Sequence, residues 1–184
     1  MGATLGRRRL FFALWPEPAL QAAIAETASA VARSRAIGGR EIPPERLHLT
    51  LLFLGDVPAK AEARLIADAT SVTGRSFHLV LAHAACFYRT RTFWLGPRTT
   101  PPRLTTLWQN LQRIAAPAGL ARGARPLAPH VTCLRDIRHR IRPVPVKPVL
   151  WPVREFVLVH STLGARPEYH VIGRWPLGSR EPPT

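Results

Sequence analysis

A His-x-Thr signature occurs twice, and its spacing constrains the fold more than any other feature. Pro44-Glu45-Arg46-Leu47-His48-Leu49-Thr50-Leu51 recurs in reduced form as Pro129-His130-Val131-Thr132-Cys133, with the two histidines 82 residues apart in a chain of 184. Each copy sits in a run of strand-forming residues shortly after a proline. Matching copies in two halves predict two lobes related by an approximate twofold axis. Side chains alternate faces along a strand, so His48 and Thr50 point one way, about 7 Å apart, and His130 and Thr132 do the same. Leu49, Leu51, Val131 and Cys133 then face the other way and fit a core.

The remaining sequence supplies the elements around these strands. Residues 9–15, rich in aromatics and large aliphatics, read as a strand. Pro16-Glu17-Pro18 opens a helix over 19–35, with Leu20, Ile24, Ala28 and Val31 at helical spacing. Gly38-Gly39 ends that region. Strands are predicted over 47–54, 77–87, 91–95, 130–134, 156–162 and 169–175, the last two as a hairpin across 164–168. Helices are predicted over 60–72, with Ala63, Ile66, Ala67 and Thr70 on one side, and over 101–115, with Leu104, Leu107, Trp108, Leu111 and Ile114 on one face. Residues 136–152 hold Arg138, His139, Arg140, Arg142 and four prolines, and read as an exposed basic loop. Residues 1–6 and 178–184 read as frayed ends. Helices interleaved with hairpin-spaced strands predict an α+β class with mixed or antiparallel sheets. The expectation is one domain over 1–184, built of two interleaved pseudo-symmetric lobes with an ordered core of about 9–177. No glycine-rich phosphate loop or dinucleotide fingerprint is present.

Charge narrows the partners. There are 26 Lys+Arg against 11 Asp+Glu, a net charge of +15, and only Lys60 and Lys147 are lysine. Such an excess suits a polyanion, whose counterions are released on binding. A genome rich in G and C also favours arginine codons, so charge alone does not decide. No apolar run nears the roughly 18–20 residues of a membrane span. Arg7, Arg8 and Arg9 before residues 10–14 imitate a signal peptide, but Pro16-Glu17-Pro18 interrupts the apolar stretch too early. Cys86 and Cys133 have neither metal spacing nor a disulfide framework, which predicts a reduced, cytoplasmic protein.

Two imidazoles and two hydroxyls on one surface suit metal-free phosphoryl chemistry. One histidine can take a proton from an attacking oxygen while the other protonates the leaving oxygen. Threonine hydroxyls can hydrogen-bond the non-bridging phosphate oxygens. One His-x-Thr in a strand would mean little; two symmetric copies carry weight. His78, His83, His139, His160 and His170 have no repeated context, and no set of three ligands is visible around them. Cys133 lies on the opposite parity to His130, which favours core packing over a nucleophilic role.

At these residues the sequence resembles the two-histidine (2H) phosphoesterase superfamily, and within it the RNA 2′,3′-cyclic phosphodiesterase or 2′-5′ RNA ligase family. The resemblance runs from about Arg9 to Leu177 through residues 9–14 (RLFFAL), 43–55 (PPERLHLTLLFLG), 92–97 (TFWLGP), 129–135 (PHVTCLR) and 174–177 (RWPL). It implies a bilobal fold around a central groove, with helices outside and both motifs on the floor. It implies hydrolysis of RNA 2′,3′-cyclic phosphate ends, tRNA fragments among them, to 2′-phosphomonoesters, and the reverse 2′-5′ joining. Carried over by motif, His48 would be the proton donor and His130 the proton acceptor, with Thr50 and Thr132 holding the phosphate. Arg135 would contact phosphate or ribose, and its strand parity demands a local bend or bulge. No metal, no cofactor and no membrane are implied, and a monomer is expected. Arg46 stands where a small polar residue is common, and Cys133 replaces an aliphatic. The rival expectations are a 2H phosphoesterase acting on a small cyclic phosphate, such as a cyclic nucleotide or ADP-ribose derivative, and a non-catalytic RNA-binding module.

Overall fold

The computed structural model describes residues 7–120, 126–162 and 168–178, and within them prolines mark the start of each α-helix. In chain order the elements are β1 (Arg7–Leu14), α1 (Pro18–Ser34), β2 (Arg40–Glu41), a 3₁₀ turn (Pro44–Arg46), β3 (Leu49–Pro58), α2 (Ala59–Ala69), β4 (Phe77–Phe87), β5 (Thr92–Gly96), α3 (Pro102–Ala115), β6 (Val131–Arg135), β7 (Val144–Val153), β8 (Glu155–Ser161) and β9 (Tyr169–Pro176). Proline fixes φ near the helical value and lacks an N–H, so a first turn or cap position suits it.

The strands form one sheet in the order β7-β4-β5-β6-β3-β1-β8-β9, with β2 beside β6. All pairings between these strands are antiparallel. The order splits at the centre into two equivalent halves. In one, β1 leads through α1 back to β3, its antiparallel neighbour; in the other, β5 leads through α3 to β6. The halves meet where Leu49 of β3 pairs with Val131 of β6. The helices interlock them, since α1 packs on β7 and β5 while α3 packs on β3.

All three helices cover one face. There α1 buries Gln21, Ile24, Ala28 and Ala32, and α3 buries Leu104, Leu107, Leu111 and Ala115, against Leu10, Phe12, Leu14, Leu49, Leu51 and Val131 of the sheet. The stripe on α1 is rotated slightly from the expected one, leaving Leu20 and Val31 at its edge. On α2 the buried residues are Leu65 and Ala69, whereas Ala63, Ala67 and Thr70 are exposed. Alanine fits either face, so the larger Leu65 orients this helix.

The largest departure from expectation is β7. The predicted basic loop divides: residues 136–143, with Arg138, His139, Arg140 and Arg142 exposed, stay irregular as expected, whereas the remainder forms a ten-residue strand, paired to β4 from Phe77↔Val153 to Ala84↔Val144. Its prolines are tolerated because β7 is the sheet edge, where a missing N–H breaks no ladder. Pro148 falls in the register shift opposite Leu81 and His83. Strands β8 and β9 pair as predicted, while 163–167 of their connection, and ends 1–6 and 179–184, lie outside the described residues. Gly178, expected in the frayed tail, is instead tied to the fold by hydrogen bonds with Gly74 and Ser76, each 2.8 Å.

Candidate active site

The central pairing dictates the site. With Leu49 opposite Val131 in antiparallel register, one step each way sets His48 against Thr132 and Thr50 against His130. Cross-strand partners have Cβ atoms about 4.5–5.5 Å apart. Leu49 and Val131 are fully buried on the helix side, so the four motif residues share the open face, each partly exposed. The sequence predicts this quartet, and the structure brings it together.

Matching bulges extend the symmetry. β1 pairs Ala13 with Thr50 and Phe12 with Leu52, leaving Leu51 extra; β5 pairs Trp94 with Thr132 and Phe93 with Leu134, leaving Cys133 extra. A bulge resets side-chain parity. Leu51 and Leu52, like Cys133 and Leu134, therefore all enter the core, and the next residue returns to the open face. On β6 that residue is Arg135, so the bend it would need to reach this face is present. On β3 it is Phe53, 38% exposed and covered by the Arg9 guanidinium at 4.9 Å from the ring centre. The two halves differ chemically at this position.

Both imidazoles are held alike. His48 Nδ1 lies 2.7 Å from the Arg46 carbonyl, and His130 Nδ1 lies 2.7 Å from the Ala128 carbonyl. A carbonyl only accepts, so each Nδ1 carries the proton and each Nε2 is left for chemistry. Their surroundings differ. His48 stacks on Trp15 with centroids 5.1 Å apart and planes at 2°, and also meets Phe11 at 5.0 Å and Tyr169 edge-on at 5.2 Å. His130 meets Phe87 edge-on at 4.9 Å and Trp94 at 6.1 Å. Burial pushes the His48 imidazole down to about 4, and Arg135, His130 and Arg46 add charge repulsion. Burial also lowers His130 below its ordinary value. Both rings are therefore neutral near pH 7 in the free protein.

Two buried donors beside the histidines find no acceptor among the described residues: Arg46 Nε and Trp94 Nε1. Together with the cations around His48, they fit an anionic ligand. Cys133 has its thiol buried and pushed up to about 12, which makes it a core residue rather than a nucleophile. Of the aromatics in and beside these strands, Phe12 is fully buried in the core, whereas Phe11, Phe87 and Trp94 touch the histidines. Trp15 and Tyr169 stand outside both His-x-Thr motifs. Trp15 was accessible through strand parity with Phe11 and Ala13; Tyr169 arrives from the far end of the chain and had no local signal. A cavity of about 1000 Å³ between α1 and β7 contains none of the quartet and adjoins the site only through Trp15.

Paired His-x-Thr strands at the centre of one antiparallel sheet, with imidazoles bared at Nε2, define a two-histidine phosphoesterase. The family model for the 2′-5′ RNA ligase superfamily matches residues 16–164. The RNA 2′,3′-cyclic phosphodiesterase of Escherichia coli (strain K12) is 37% identical over 141 residues, covering 76% of this chain and 80% of that protein. The enzyme of the same name from Thermus thermophilus is 31% identical, covering 92% and 90%. The crystal structure of E. coli LigT in apo form superposes with a TM-score of 0.82 at 33% identity, over 94% of this chain and 99% of that one. This chain belongs to the 2′-5′ RNA ligase superfamily.

Proposed function

We propose that this protein hydrolyses RNA 2′,3′-cyclic phosphate ends to 2′-phosphomonoesters by paired-histidine acid–base catalysis, and that the same site supports the reverse 2′-5′ joining. The carrying observation is the symmetric quartet: two imidazoles with Nδ1 tied to backbone carbonyls, each beside a threonine hydroxyl. The names of the relatives and the LigT structure with 3′-AMP, at a TM-score of 0.81, fit this reading.

In the proposed step, His130 Nε2 takes a proton from water as its oxygen bonds to phosphorus. The P–O3′ bond breaks in line, and His48 Nε2 delivers a proton to O3′. Exchange with solvent then resets both rings. Thr50 and Thr132 donate hydrogen bonds to the non-bridging oxygens, and Arg135 offsets their charge. His48 is the more deeply buried of the pair, which suits shielding a leaving oxygen; the more open His130 suits activating water. The acid role requires a protonated His48, and the anionic phosphate supplies the opposite charge that raises its proton affinity. The scheme uses no metal or cofactor. We also read the protein as a monomer in a reducing cytoplasm, where Cys86 and Cys133 stay free.

The test is steady-state turnover of a 2′,3′-cyclic mononucleotide and of an RNA with the same terminus, each with and without EDTA. Turnover of both, higher kcat/KM on the RNA and indifference to EDTA are expected. Activity confined to a small cyclic phosphate, or restored only by a divalent ion, would overturn the proposal.

A further inference from the structure

Beyond Arg135 the open face runs into a ledge that the proposed reaction does not use. It consists of the β4–β5 turn (88–91) and the segment after β6 (136–142). The Ile137 N–H donates to the Arg91 carbonyl at 3.1 Å, and Arg91 Nε donates back to the Ile137 carbonyl at 3.3 Å. The N–H groups of Arg138 and His139 both donate to the Ile37 carbonyl, at 3.2 and 3.1 Å. Among the described residues, the non-glycine positions with positive φ are Arg91 (49°) and Asp136 (57°) within the ledge and Ala36 (47°) next to Ile37, to which the ledge is tied. Side chains avoid that region, so such strain persists only where the surroundings over-determine it, and it concentrates at functional surfaces.

The ledge has a definite chemistry. Tyr88 is 48% exposed, with the Arg140 guanidinium 4.5 Å from its ring centre. Arg89, Arg91, Arg135 and Arg138 are exposed around it. The only acid in the two segments, Asp136, is 3.5 Å from Arg40. The ledge also starts close to the quartet: Tyr88 follows Phe87, which touches His130, and Arg135 lies about 10 Å along the strand from Thr132. Aromatic rings interleaved with arginines bind single-stranded nucleic acid by base stacking and phosphate contacts, without reading sequence.

We infer that this ledge is a second binding site, for the nucleotides preceding the cyclic-phosphate end of a single-stranded RNA. One base stacks on the Tyr88–Arg140 pair and the phosphates run along the arginines. The inference rests on the proposed chemistry for the terminus, but its test separates the two. Arg140→Ala, Tyr88→Ala and Tyr88→Phe are compared with wild type on a cyclic mononucleotide and on a cyclic-phosphate oligonucleotide across a salt series, with melting curves as a folding control. For both alanine variants the oligonucleotide KM is expected to rise about tenfold at unchanged kcat, with Tyr88→Phe close to wild type and the mononucleotide unaffected. Arg140→Ala is also expected to flatten the slope of log KM against log salt by about 0.7. Unchanged oligonucleotide kinetics in both alanine variants, with the mononucleotide still turned over, would overturn the ledge alone. Polyglutamate competing as strongly as RNA of equal charge would make it an acidic-protein surface and would also overturn it. If wild type turns over neither substrate, the terminal chemistry fails, and oligonucleotide binding by anisotropy decides: weaker binding by Arg140→Ala supports the ledge, equal binding refutes it.

Discussion

The protonation of two side chains controls the proposed reaction. In the free protein both histidines sit below their ordinary value, His48 at about 4, chiefly because burial penalises the charged ring. In the proposed scheme the productive form carries one proton, on His48. On the acid side His130 also becomes protonated and the base is lost; on the alkaline side the proton leaves His48 and the acid is lost. Because kcat/KM reports the free enzyme, its pH profile on a cyclic mononucleotide should be bell-shaped with both limbs below about 6.5. An alkaline limb at pH 7 or above would mean that the free site holds its proton more tightly than its burial dictates. At this scale the sequence was informative about His48, Thr50, His130 and Thr132, because period-2 alternation needs no knowledge of neighbours. The same alternation puts Arg135 on the opposite face, and the bulge at Cys133 that returns it exists only through pairing with β5.

Among the elements, β2 and the glycine before it hold the strand that carries Arg135. Arg40 pairs with Arg135 and Glu41 with Leu134. Gly39 has φ +116°, and a Cβ there would meet the Arg135 carbonyl at 2.8 Å. Gly39→Ala should therefore destabilise the protein by about 1–3 kcal/mol and raise KM by displacing Arg135. A wild-type melting curve and KM would show that this packing does not position Arg135. Helix and strand identities were largely legible from periodicity and proline punctuation. The main failure, β7, has a physical cause: prolines argue against a strand only where both edges are paired, and edge position is a property of the assembled sheet. The buried face of α2 differs from the expected one for a related reason, since alanine says little about direction.

At the scale of the molecule, the repeat at 82-residue spacing anticipated the twofold arrangement, which the sheet order and the paired bulges carry down to register. It did not anticipate where the symmetry breaks. Arg135 and Phe53 occupy equivalent positions with opposite chemistry, and the arginines of the ledge belong to one half only. A single product requires such asymmetry, because a symmetric pair of histidines could not choose between O2′ and O3′ as leaving group. The net charge of +15 could not locate it, since summed charge carries no position.

The most direct measurement is product analysis on a defined oligonucleotide ending in a 2′,3′-cyclic phosphate, for wild type, His48→Ala and His130→Ala. The account predicts the 2′-phosphomonoester as the single wild-type product, with turnover lowered by about 10²–10⁴ in each folded variant. A dominant 3′-phosphate would reverse the substrate over the two histidines, and wild-type turnover in either variant would remove that residue from the reaction.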